Sequence, residues 1–163
     1  MCLEEKIKSR IDAAAGRKAA SLVLKKCRIV NVFSGEIIEG DIAVERGKIV
    51  GIGEYQGEKE INIDGMYVSP GFIDGHVHIE SSMVTPLEYA KAVLPKGTTV
   101  VIADPHEIAN VCGLKGIEYM LRASEGLPID IYLMLPSCVP STVFESAGAV
   151  LPAEKLKTLL GHS

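Results

Sequence analysis

The sequence has no Cys-x-x-Cys pair: Cys2, Cys27, Cys112 and Cys138 are scattered over 163 residues. That scatter suggests neither a zinc ribbon nor a dithiol redox motif, and a reduced, cytoplasmic setting fits it best. A basic patch is also missing. With a formal net charge of −4, a nucleic-acid partner is not expected, because phosphates call for clustered Lys and Arg. No uninterrupted apolar run approaches the length of a bilayer span, and the opening Met1-Cys2-Leu3-Glu4-Glu5 forms no apolar signal core. A soluble protein without a membrane partner is expected. What is present is globular in kind, with 47% hydrophobic and 23% charged residues. The length suits one ordinary domain, or a small domain plus part of a larger one.

The chain divides into three textures. Over residues 1–20, Leu3, Ile7 and Ile11 recur every fourth position between charged residues, which predicts an amphipathic helical arm ending near Gly16. Over 21–70 the pattern turns to short β-rich runs at 22–32, 36–45, 48–53 and 59–64, read as part of a small β-sandwich. Glu45-Arg46-Gly47-Lys48 reads as a hairpin turn in which Gly47 supplies the positive φ. Over 71–163 the rhythm becomes strand, loop, helix. Strands are expected at 72–78, 98–103 and 129–135, with helices at 86–94, from Leu114 to near Gly126, and at 152–160. Thr85-Pro86-Leu87-Glu88 looks like a capping box with proline at the first helical position. The run 98–103 is β-branched at every position before Ala103, the kind of strand buried on both faces of a parallel sheet. Alternating β and α elements predict an α/β fold with a parallel sheet and right-handed crossovers.

The most informative stretch is Pro70-Gly71-Phe72-Ile73-Asp74-Gly75-His76-Val77-His78-Ile79-Glu80. In an extended segment, residues i and i+2 project from one face, so His76 and His78 can converge on one cation. Neutral imidazole near pH 7 offers its lone pair to Zn, Fe or Mn-type ions. A solvated turn or a pair of satisfied core histidines would also fit the spacing alone. Against that stands the cost of burying two His beside an Asp and a Glu without a compensating partner.

Polar residues able to do chemistry follow the C-terminal end of each expected strand. They are His76, His78 and Glu80 after the first, Asp104-Pro105-His106-Glu107 after the second, and Ser137 and Cys138 after the third. Barrel and open α/β enzymes place their active sites at that end. Taken alone, Asp104-Pro105-His106-Glu107 reads equally as the acidic start of a helix. Ser137 and Cys138 read as structural, since no base stands at a fixed spacing from them.

These residues together resemble the metal-dependent amidohydrolase superfamily, whose members carry a (β/α)8 barrel. The run from His76 through Glu80-Ser81-Ser82 to Pro86, with Asp104-Pro105-His106-Glu107-Ile108 and Pro136-Ser137-Cys138-Val139-Pro140, is similar to the adenine deaminase family within it. The likeness extends from about Ala20 onward. It implies the N-terminal part of such a barrel, about three strands, behind a small β-sandwich-like segment. It further implies a divalent metal site, binuclear and holding Mn or Fe with Zn as an alternative. There water or hydroxide attacks C6 of adenine, ammonia leaves and hypoxanthine forms.

By the same resemblance His76 and His78 are metal ligands. Asp104, His106 and Glu107 are candidate catalytic residues for substrate orientation, proton handling or an auxiliary metal contact. Glu80, Ser81 and Ser82 shape the purine pocket or support the ligands. A homo-oligomer is implied for the full-length enzyme.

The family's further ligands, expected after later strands, have no counterpart here. His162 is the only histidine left, and a whole barrel takes roughly 250 residues. An N-terminal fragment with little activity of its own is therefore expected. Two other readings stay open: a different cyclic amidohydrolase of the dihydroorotase or hydantoinase kind, and a non-catalytic fragment that needs a partner chain.

Overall fold

The computed structural model describes residues 2–161, so His162 lies outside the described residues. Contacts divide the chain into two compact units, with the division between Pro70 and Gly71.

The first unit is one sheet with a helix. Helix α1 (Leu3–Ala14) precedes β1 (Leu22–Asn31), β2 (Glu36–Glu45) and β3 (Lys48–Gly53), which pair antiparallel in the order β3-β2-β1. Two short strands, β4 (Glu60–Asn62) and β5 (Tyr67–Val68), run parallel to successive stretches of β1 along its other edge. The stretch expected as part of a sandwich thus forms a single mixed sheet. Both Arg46 (φ 54°) and Gly47 (φ 70°) are left-handed at the β2–β3 turn. Two positive φ angles match the right-handed strand twist that a two-residue hairpin needs, so Arg46 shares the role expected of Gly47 alone.

The helical arm differs from expectation in which side it buries. Leu3, Ile7 and Ile11 are 71%, 45% and 55% exposed, whereas Ala13 is fully buried beside Ala20, Val23 and Ala43. A carboxylate decides the orientation. Glu45, 1% exposed at the end of β2, accepts from the Ser9 hydroxyl at 2.6 Å, the Lys18 ammonium at 2.9 Å and the Ser21 amide at 2.8 Å. Of these donors Ser9 is the one on α1, so turning the helix would take a donor from a buried carboxylate, a loss that is costly in a desolvated site.

The second unit holds β6 (Phe72–Val77), β7 (Thr98–Ala103) and β8 (Asp130–Leu133), parallel and in that order. Helix α2 (Pro86–Val93) links the first two strands. Helices α3 (His106–Cys112) and α4 (Leu114–Ser124) link the second and third, and α5 (Ala153–Leu156) follows. Ala90 of α2 and Met120 of α4 pack on Val101 and Ala103 of β7, with Ile79 and Ile129 completing the buried cluster. This is the helix-on-parallel-sheet layering of α/β folds.

Two expectations change here. Strand β7 is buried on one face only: Val101 and Ala103 are buried, while Val100 and Ile102 are half-buried and their neighbours Ile73 and Tyr132 are exposed. Among the described residues, the helices of this unit pack on the Val101–Ala103 face. The capping box is half formed: the Glu88 amide donates to Thr85 Oγ1 at 3.4 Å, but the Glu88 carboxylate turns to Lys91 at 2.6 Å instead of back to Thr85.

Candidate metal centre

Strand β6 does not deliver its histidines as a plain extended segment. Asp74 pairs with Val101 and Val77 with Ala103, so three steps on β6 match two on β7. The extra residue is a bulge at Gly75 and His76, a device that re-aims side chains beside functional sites. Asp74 steadies it by accepting the His76 amide at 3.2 Å. Beyond the bulge the rings meet: His76 Nε2 lies 3.1 Å from His78 Nε2, with the ring planes 77° apart.

Asp104 arrives from the next strand. Its amide donates to the Val77 carbonyl at 2.9 Å, extending the β6–β7 ladder by one residue and setting Asp104 beside His78. The ligand atoms of His76, His78 and Asp104 all lie within 4.8 Å of one another. Asp104 Oδ1 is buried and has no hydrogen-bond partner.

A second layer surrounds the three. The 3-10 turn Ile79–Ser82 is anchored by the fully buried Ile79 and faces α3. The Ser81 hydroxyl donates to Glu107 Oε1 at 2.9 Å, and Glu107 Oε2 lies 2.9 Å from His78 Nδ1. Glu80 Oε1 accepts the Ile108 amide at 3.2 Å, while Glu80 Oε2 is buried without a partner. Ser82 turns away and donates to the carbonyl of Ile79. Desolvation pushes the Glu107 carboxyl upward, but its own backbone amide, the Ser81 hydroxyl and His78 outweigh it and hold it below the ordinary carboxylate range. Glu107 is therefore an anion near neutral pH.

Of the candidate catalytic residues, the structure brings Asp104 into the His76–His78 cluster and sets Glu107 against the outer nitrogen of His78. His106, the first residue of α3, is in neither arrangement, and its ring has no hydrogen-bond partner among the described residues. Ser137 and Cys138 are exposed and contact each other at 3.8 Å. Sequence reasoning missed the Asp74 contact; an Asp two residues before the amide it binds is the available signal.

The donor set fits a divalent cation. Two neutral imidazoles and a carboxylate are ordinary ligands for Zn, Fe or Mn. Two bonds of about 2.0 Å at a tetrahedral centre separate two nitrogens by roughly 3.3 Å, close to the spacing observed. Within the cluster, Asp104 also has a buried oxygen without a hydrogen-bond partner, which a cation would satisfy.

Adjacent parallel strands that present histidines and an aspartate at their carboxyl ends, with helices on one face, are the layout in which α/β barrel proteins build their sites. The amidohydrolase family model matches residues 67–160, and the chain belongs to the amidohydrolase family. Among curated proteins it is 59% identical over 159 residues to an adenine deaminase of Clostridium acetobutylicum, covering 98% of this chain and 27% of that protein. It is 60% identical over 148 residues to an adenine deaminase of Geobacillus kaustophilus, covering 91% of this chain and 26% of that one. The chain thus spans about a quarter of the length of these relatives.

Among solved structures, an atrazine chlorohydrolase from Arthrobacter aurescens complexed with zinc matches with a TM-score of 0.64. Its identity is 19%, over 85% of this chain and 41% of that one. A D-hydantoinase from Thermus sp. matches with a TM-score of 0.53 and 28% identity, over 69% of this chain and 26% of that one. No helix is long and apolar enough to cross a membrane among the described residues.

Proposed function

We propose that this chain carries the first metal-binding part of a cytoplasmic adenine deaminase that converts adenine and water to hypoxanthine and ammonia. The observation that carries the reading is the convergence of His76, His78 and Asp104, the last of which has a buried oxygen without a partner. Support for the substrate comes from the named relatives, whose likeness to this chain runs through both units.

His76 and His78 would hold a divalent ion through Nε2, and Asp104 would offset its charge. When bound, such an ion lowers the pKa of water toward neutrality and polarises the atom under attack. His106 is assigned to the substrate side, because it follows the end of β7 next to Glu107 and its ring has no hydrogen-bond partner among the described residues. Mn or Fe in a binuclear site, with Zn as an alternative, is the occupancy we assign by likeness. A second ion would need ligands beyond the single three-residue cluster found among the described residues.

The test is a chimaera in which this chain replaces the matching segment of the Clostridium acetobutylicum adenine deaminase. It should release ammonia from adenine when metal is supplied, and H76A and H78A should each abolish release. The 163-residue chain alone should bind metal yet turn over little adenine. A metal-loaded chimaera without ammonia release would overturn the reading. The likeness to the D-hydantoinase favours a second reading, hydrolysis of a cyclic amide; preference for hydantoin or dihydropyrimidines over adenine would establish it.

A further inference from the structure

Three groups around the histidine pair determine where a proton must sit. The Glu107 carboxylate already accepts the Ser81 hydroxyl through Oε1 at 2.9 Å, and a carboxylate only accepts. Its other oxygen, 2.9 Å from His78 Nδ1, has no proton to give, so Nδ1 is the donor. In a neutral imidazole a proton on Nδ1 leaves Nε2 bare. That bare nitrogen is the one 3.1 Å from His76 Nε2, on a residue that clusters with His76 and Asp104.

We propose that Glu107 is the positioning residue of the cation site. It holds His78 in the Nδ1–H form with Nε2 aimed at the ion, and Ser81 holds Glu107 in turn. The inference rests on the metal-site reading above. Glu107 is not a ligand in this arrangement: both of its oxygens are engaged, and it stands outside the ligand cluster. The turn Ile79–Ser82 grips α3 at two successive residues, Ser81 to Glu107 and Glu80 to the Ile108 amide. The Glu107 carboxylate is therefore held at two points and cannot swing into the site without breaking both. A carboxylate on the outer nitrogen of a ligating histidine raises its basicity and fixes its ring, and loss of such a partner typically weakens metal binding about 10- to 100-fold.

The test uses the 163-residue chain with Zn2+ alone as the probe. Affinity is measured by chelator competition, and the His78 tautomer by long-range 1H–15N NMR without metal. Wild type should show Nδ1–H at His78. E107A should lose that tautomer preference and bind zinc about 10- to 100-fold more weakly. E107Q keeps a neutral acceptor in place, so it should restore the tautomer and recover most of the affinity. S81A should fall between E107Q and wild type, and it covers the case in which E107A fails to fold.

An unchanged His78 tautomer in E107A, or an E107Q no better than E107A, would overturn the proposal. Zinc affinity lowered by H78A but untouched by E107A would overturn the proposal alone. Zinc binding indifferent to H78A would overturn the metal-site reading beneath it.

Discussion

Glu45→Gln isolates the charge of the carboxylate that orients α1. In the folded chain the Ser9 hydroxyl bond comes first among the influences on Glu45. Desolvation opposes it, Lys18 and the Ser21 amide add to it, and the carboxyl is held at about 2 rather than 4.5. A fall of that size corresponds to roughly 3 kcal/mol at about 1.4 kcal/mol per unit. An independent count agrees: three donors each lose roughly 1 kcal/mol when their acceptor becomes neutral. Lys18 is one-third exposed, so screening trims the expected figure to about 2–3 kcal/mol.

The sign follows from the depressed value. Stabilisation by Glu45 is complete above pH 4.5 and is lost as the pH falls toward 2. A protonated carboxyl resembles a carboxamide, so the substitution should cost about 2–3 kcal/mol near pH 7 and almost nothing near pH 2. Urea unfolding of the two proteins at matched ionic strength, with exchange of the Ser21 amide as a local probe, measures the difference. A penalty that stays constant on acidification would refute the reasoning.

Three further outcomes are expected. Gly116→Ala puts a methyl 2.7 Å from the Ile108 carbonyl; it should cost about 1–3 kcal/mol and weaken zinc binding, because α3 carries Glu107. Asp104→Asn should lower zinc affinity at least about 10-fold while leaving the melting temperature of the metal-free chain unchanged or higher, since Oδ1 is buried without a hydrogen-bond partner that the substitution could break. Thr85→Ala should cost about 0.5–1 kcal/mol by thermal denaturation, and Glu88→Ala less than that, because only half of the capping box is formed.

The sequence was most legible where local chemistry decides structure. The runs at 36–45, 48–53 and 98–103 became β2, β3 and β7 with those boundaries, since alternation, a Gly-containing turn and β-branching are all local signals. Elements shortened where pairing partners decide: 59–64 shrank to β4 and 129–135 to β8. The α1 stripe misled because a single buried carboxylate, invisible to periodicity, chose which side faces the sheet.

At the site, the spacing of His76 and His78 suggested convergence, and the rings do meet. Alternation along an extended segment is only part of the cause, because the β6 bulge intervenes and depends on register with β7. The engagement of Glu107 with His78 and Ser81 joins residues 29 and 26 apart. No spacing rule connects such distant positions; only the folded β6–α2–β7 unit does.

All members of the polar cluster lie between Asp74 and Ile108, and none of its side-chain contacts spans more than 29 residues. Loops of that length close at little entropic cost, and a chain emerging from the ribosome folds its earlier parts first. The three candidate cation ligands can therefore come together as soon as β7 and α3 have left the exit tunnel. A metal ion captured then would tie two adjacent loops during synthesis, and the order in which the protein is made would become part of how it is loaded.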